Sequence, residues 1–200
     1  HDQIEAMTMG DRVAVLKDGY LQQVDTPQNL YDHPVNVFVA AFIGSPSMNL
    51  FEATVTLAGD GGSVQLGSHT LGLGPETLEK HPNLRDFDGK QIIIGIRPED
   101  YEDASIATDV PENQRITSKV TLLEALGSEI MAHFHVDAPT VDSGDPDAAE
   151  DKGHTGSANA VGRFNPRSTA RMGQEIQIAI STENMHFFDP TTRMAIADGA

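Results

Sequence analysis

Apolar positions along the chain follow two different rhythms. In residues 2–9, Ile4, Ala6 and Met7 sit among polar neighbours at helical spacing, which Gly10 is placed to end as a left-handed cap. Val13, Ala14, Val15 and Leu16 then run together, the pattern of a strand covered on both faces. Asp18-Gly19 is a hairpin turn, because both residue types tolerate positive φ, and residues 20–24 form the returning strand. Thr26-Pro27 is a helix start, a hydroxyl cap before a proline in the first turn, and His33-Pro34 is its stop. From Asn36 onward, Val37, Phe38, Ala41 and Phe42 return to helical spacing until Gly44-Ser45-Pro46. A domain boundary is expected there, dividing residues 1–44 from 45–200.

Beyond residue 45 the segments become short, alternating and separated by turns, as in an antiparallel β domain. Strands are expected at 51–57, 63–66, 70–73, 92–97, 120–123 and 130–136, with a helical turn at 77–80. Ile176, Ile178 and Ile180 share one face of a late strand, since side chains alternate with period two. Residues 185–188 and 194–196 flank a hairpin turn at Asp189-Pro190-Thr191-Thr192. Residues 138–160 are mostly Gly, Ser, Asp, Pro and Ala. They carry too little apolar surface to offset their ordering entropy, so a flexible acidic insert is expected.

Charge narrows the functional classes. With 13 Lys and Arg against 30 Asp and Glu, the 200-residue chain has a formal charge of -17. Binding nucleic acid or anionic lipid needs the opposite balance. Cysteine is absent, which excludes disulfides and thiolate metal sites. The longest apolar run, residues 37–43, is far short of the roughly 20 residues of a spanning helix, so a soluble chain is expected.

Catalytic and ligand motifs mostly fail on spacing. A P-loop needs Gly, four residues, then Gly-Lys and a hydroxyl residue. Gly89-Lys90 has Leu84 and Gln91 at the required positions instead. His133 and His135 share a strand face with the geometry of a metal pair. With Ala132, Phe134 and Val136 turned to the core, however, they are expected on the solvent side, and no third ligand can be placed. Glu99, Asp100, Glu102 and Asp103 lack the order of a calcium loop and are expected to form a solvated acidic turn. Neither Ser45 nor Ser128 sits in a nucleophile elbow.

The opening run from His1 through Asp2-Gln3-Ile4-Glu5-Ala6-Met7-Thr8 to Asp11-Arg12-Val13-Ala14-Val15 closely resembles the switch-histidine region of ATP-binding cassette importers. The likeness continues through Gln22-Gln23-Val24, Thr26-Pro27 and Leu30-Tyr31 to the Phe42-Ile43-Gly44-Ser45-Pro46-Ser47-Met48-Asn49 junction. Ile94-Gly95-Ile96-Arg97-Pro98-Glu99 is similar to a signature of the regulatory domain in the maltose, trehalose and glycerol-phosphate group. The resemblance implies a mainly β fold. In it, an OB-like (TOBE-type) regulatory barrel follows an α+β remnant of a nucleotide-binding domain. It also implies an ATPase subunit of sugar import, with His1 as its switch histidine and ATP and magnesium held by parts upstream of residue 1. The isolated fragment is then expected to be inactive. Implied partners are a second copy through the regulatory domain and the membrane subunits of a transporter, at the cytoplasmic face of the membrane. The alternative is a stand-alone OB-like module that captures an oxyanion or a sugar.

Overall fold

Local sequence signals build the N-terminal segment of the computed structural model, which describes residues 3–147 and 158–196. Helix α1 (Gln3–Met9) ends as the Gly10 amide donates to the Ala6 carbonyl at 3.1 Å. Gly10 is not left-handed, contrary to expectation; glycine is needed because a Cβ would lie 2.9 Å from that same carbonyl oxygen. Strands β1 (Val13–Lys17) and β2 (Tyr20–Asp25) pair through Asp18 and Gly19 at φ 50° and 82°. The expected two-sided cover of β1 is not found. Val15 is buried against helices α2 (Pro27–Asp32) and α3 (Val37–Phe42), while Leu16 and Leu21 stand 58% and 59% exposed. Two strands offer two faces, and the helices cover one of them. Thr26 caps α2 as expected, and Asn36 caps α3, each accepting from a backbone amide three residues on.

Helix α3 has two packing faces. Val39 joins Val15, Leu30 and Ile43, whereas Val37, Ala40 and Ala41 pack on Met48, Leu50, Ile93 and Phe188 of the following β structure. That structure begins with strands β3 (Asn49–Ala58), β4 (Gly61–Leu66) and β5 (His69–Leu73), then helix α4 (Pro75–Lys80). Strands β6 (Gln91–Ile96), β7 (Tyr101–Asp103), β8 (Arg115–Ala125) and β9 (Ile130–Phe134) follow. The last are β10 (Ala160–Phe164), β11 (Glu175–Ile180) and β12 (His186–Phe188). They form two antiparallel five-stranded sheets, ordered β12-β6-β3-β4-β5 and β10-β9-β8-β11-β7. The inner faces share one core that includes Val55, Ile94, Tyr101, Phe134 and the Ile176, Ile178, Ile180 row. The Asn165 amide just past β10 donates to Glu102 on β7 at 3.0 Å, drawing the edges of the second sheet together. The result is the expected mainly β fold, a nearly closed OB-like barrel.

Buried Asn49 joins the sheets. Its amide nitrogen donates to the carbonyls of Ile96 (3.1 Å) and Val161 (2.9 Å), and its oxygen accepts from the Val161 amide at 2.9 Å. The side chain is fully satisfied, as a buried amide must be.

The insert departs from expectation at its start. Pro139 accepts from the Glu52 amide at 2.9 Å, and Val141 donates to Leu50 at 3.2 Å. Backbone pairing along residues 50–52 of β3, which β4 does not reach, orders this stretch, a source of energy that side-chain composition does not report. Residues 158–160 lead into β10, and the rest of the insert, 148–157, lies outside the described residues.

Candidate functional site

His1, the residue singled out by the sequence, lies outside the described residues. Within them, functional side chains converge where the N-terminal segment meets the barrel, around Arg97 at the end of β6. Arg97 is 2% exposed. Its guanidinium donates to Ile43 O at 2.5 Å, Ala40 O at 3.3 Å and Tyr31 O at 2.7 Å, and stacks 3.9 Å from the Tyr31 ring centroid. These carbonyls end α2 and α3, where helices leave acceptors unsatisfied and carry partial negative charge. One planar cation therefore closes two helix ends. Gly44, at φ 112°, lets the chain pass: a Cβ there would stand 3.1 Å from Arg97 and 3.2 Å from Tyr31. Burial lowers the Arg97 pKa, against the pull of Tyr31 and of nearby Glu99, Asp100 and Asp32.

Beside Arg97 opens a cleft of about 890 Å³, walled by residues 31–35 on one side and by barrel residues 80–81, 97–100, 183–188 and 194–196 on the other. Glu99 accepts from the Tyr31 hydroxyl, whose pKa is raised by burial and by this hydrogen bond. Asp100 accepts from the Asn184 amide at 2.9 Å. Burial pushes its pKa up to about 6, with repulsion from Glu99 and Glu183 adding to the effect. His186 is driven down to about 3 by burial, then by Arg97, His81 and His33, and is neutral at ordinary pH.

The acidic turn is thus not simply solvated. Asp103 is 5% exposed, accepting from the Ser105 amide at 2.9 Å and the Ser168 hydroxyl at 2.5 Å, while Glu102 ties β7 to the chain after β10. Proximity to Pro98 put all four carboxylates in one loop in sequence, but only the fold assigns their partners. His133 also differs from expectation. It is buried at 9% exposure, with Nε2 2.8 Å from Glu124 Oε2, and His135 alone of the pair is exposed. A bulge between Val120 and Leu122 sets Glu124 opposite Met131, diagonal to His133 on the same face. Among the described residues, no group of three side chains could hold a metal ion. Arg97 was legible as part of a motif and Asp100 as one carboxylate of the acidic turn. Their meeting with His186 and Asn184 was not, because those partners come from distant segments.

Residues 44–101 match the family model described as the MalK OB fold domain. The matched stretch runs from Gly44 through β3–β6 to Tyr101, so this part of the chain is similar to that OB-fold domain. Over 197 residues the chain is 41% identical to the trehalose/maltose import ATP-binding protein MalK of Thermococcus litoralis, covering 98% of this chain and 47% of that one. The oligosaccharides import ATP-binding protein MsmX of Bacillus subtilis is 36% identical over 98% of this chain and 47% of its own. The trehalose import ATP-binding protein SugC of Mycobacterium tuberculosis is 36% identical over 94% and 48%. The chain is homologous, over nearly its whole length, to the ATP-binding subunits of sugar-import ABC transporters, and it spans about half the length of these relatives. Among solved structures, the molybdate-binding protein ModG superposes on 71% of this chain and 96% of its own at 13% identity, with a TM-score of only 0.46.

Proposed function

We propose that this chain is part of the ATP-hydrolysing subunit of a sugar-import ABC transporter. Residues 1–44 are the end of its nucleotide-binding domain and residues 45–200 its OB-like regulatory domain. The observation that carries this reading is similarity to such a subunit, at 41% identity, over 98% of the chain. The exposed apolar side of the β1–β2 hairpin supports it, since such side chains belong under a further layer of a larger domain.

In this reading His1 is the switch histidine, an imidazole N–H beside the terminal phosphate that stabilises charge as the phosphoryl group transfers. ATP and magnesium belong to the parent subunit. The residues of this chain do not fit them, because Gly89-Lys90 lacks P-loop spacing and no metal-ligating cluster occurs among the described residues. The chain by itself is inactive. The parent works with membrane subunits through its nucleotide-binding domain and with a second copy through the barrel, at the cytoplasmic face of the membrane. No helix among the described residues is long and apolar enough to cross that membrane. Arg97 couples the regulatory barrel rigidly to the end of the motor domain.

The test has two arms. In the longer subunit that carries this segment, His1→Ala is expected to lower ATP turnover by about 100-fold or more. The purified 200-residue chain is expected to show none. Magnesium-dependent hydrolysis by the chain alone, or full activity of the His1 variant, refutes the proposal.

A further inference from the structure

We propose that the cleft beside Arg97 is a binding site for a neutral, polyhydroxylated small molecule of sugar or polyol size, held between the N-terminal segment and the barrel. Its volume, about 890 Å³, lies within the range of small-molecule sites. The charge pattern selects the ligand class. Two strong cations stand at the cleft: Lys80, whose Nζ gives one hydrogen bond to the Glu183 carbonyl at 3.1 Å, and Arg97, which donates to three helix-end carbonyls and keeps Nε without a partner. Carboxylates outnumber them, so an anion would face Asp32, Glu99, Asp100 and Glu183 against two cations. An organic cation would instead lie against Arg97 and Lys80. A neutral ligand meets neither penalty.

The remaining hydrogen-bonding capacity is what hydroxyl groups use. Glu99 engages Tyr31 through Oε1, and Asp100 engages Asn184 through Oδ1. Among the described residues, the second oxygen of each carboxylate has no donor. The half-buried His186 ring lines the cleft with no hydrogen-bond partner among the described residues, and as neutral imidazole it offers one donor and one acceptor. Hydroxyls both donate and accept, so they can satisfy carboxylate and imidazole together. Met185, Phe187 and Ile196 give the cleft an apolar side for the C–H faces of such a ligand. Because the walls come from both sides of the Arg97 contact, an occupant strengthens the junction that the guanidinium closes.

This inference goes beyond the transporter reading and stands or falls separately from it, since it is read on the chain without ATP. Calorimetric titration of the 200-residue chain with maltose, trehalose and glycerol is compared with phosphate as the anionic probe and choline as the cationic one. Saturable binding of at least one neutral probe is expected, with phosphate and choline silent. Met194→Trp at the 47%-exposed rim should block the cleft, and His186→Gln should remove the ring; each is expected to weaken binding by about tenfold or more. Should the His186 variant unfold, the surface Met194 variant decides alone. No heat from any neutral probe, preference for phosphate or choline, or unchanged binding in the folded variants overturns the proposal.

Discussion

Asp100 and His186 face one cleft with opposite titration biases. Asp100 titrates at about 6 rather than 3.8, so between those values the folded state holds its proton more tightly than the unfolded chain does. Stability from this residue is therefore present at low pH and is lost as pH rises toward 6, by about 1.4 kcal/mol for each pH step of one. His186 titrates at about 3 rather than 6.5. Here the unfolded chain binds the proton more readily, and stability is lost as pH falls below 6.5. Between about pH 4 and pH 6 the two slopes oppose each other. Asp100→Asn is expected to unmask the histidine, giving a protein more stable than the parent by about 1–3 kcal/mol at neutral pH that weakens on acidification. His186→Phe is expected to unmask the aspartate, with stability rising from pH 6 down to about pH 4. Urea unfolding across that range checks both; parallel profiles for parent and variants would show that neither group titrates away from its ordinary range.

At the scale of elements, the signature around Arg97 becomes a joint. The side chain ends a strand of the barrel and satisfies carbonyls at the ends of α2 and α3, so three elements share one guanidinium. Arg97→Met leaves buried acceptors unpaired and is expected to cost about 2–4 kcal/mol. Arg97→Lys should recover less than half of that, because an ammonium has neither the fork nor the flat face that stacks on Tyr31. A methionine variant within about 0.5 kcal/mol of the parent in chemical denaturation would show that the joint holds nothing together. Much at this scale was readable beforehand. Asp18-Gly19 and Thr26 act through neighbours one to three residues away, so their turn and cap are written locally. Strands β7 and β10 were not readable: β7 spans three residues, too few for a period, and β10 follows a polar insert that masks its start.

For the whole molecule, the informative surface is the uncovered side of the β1–β2 hairpin, with the paired Leu16 and Leu21 at 58% and 59% exposure. Replacing Leu16 and Leu21 together by serine is expected to change the stability of this chain by less than about 1 kcal/mol, since both are already in water. In a longer subunit of the proposed kind the same pair should cost about 2–4 kcal/mol, the loss expected when buried leucines are truncated. Thermal unfolding of both proteins makes the comparison. An equally small effect in the longer protein would mean that nothing covers this face, and the assignment of residues 1–44 to a larger domain would lose its physical support.

Periodicity, caps and turn chemistry act over a few residues, so the alternation of elements, the mainly β class and the family likeness could all be taken from the chain as written. What His133, Asp103 and Asn49 do, and how residues 139–141 are held, emerged with the folded arrangement. So did the enclosure of one cleft by Tyr31, Arg97, Asp100 and His186. Those outcomes depend on partners brought together from far along the chain. Asn49 meets Val161, Arg97 meets Tyr31, and Glu52 meets Pro139. The energy of a buried polar group is set by whichever atom arrives opposite it, and no local pattern in the chain encodes that arrival.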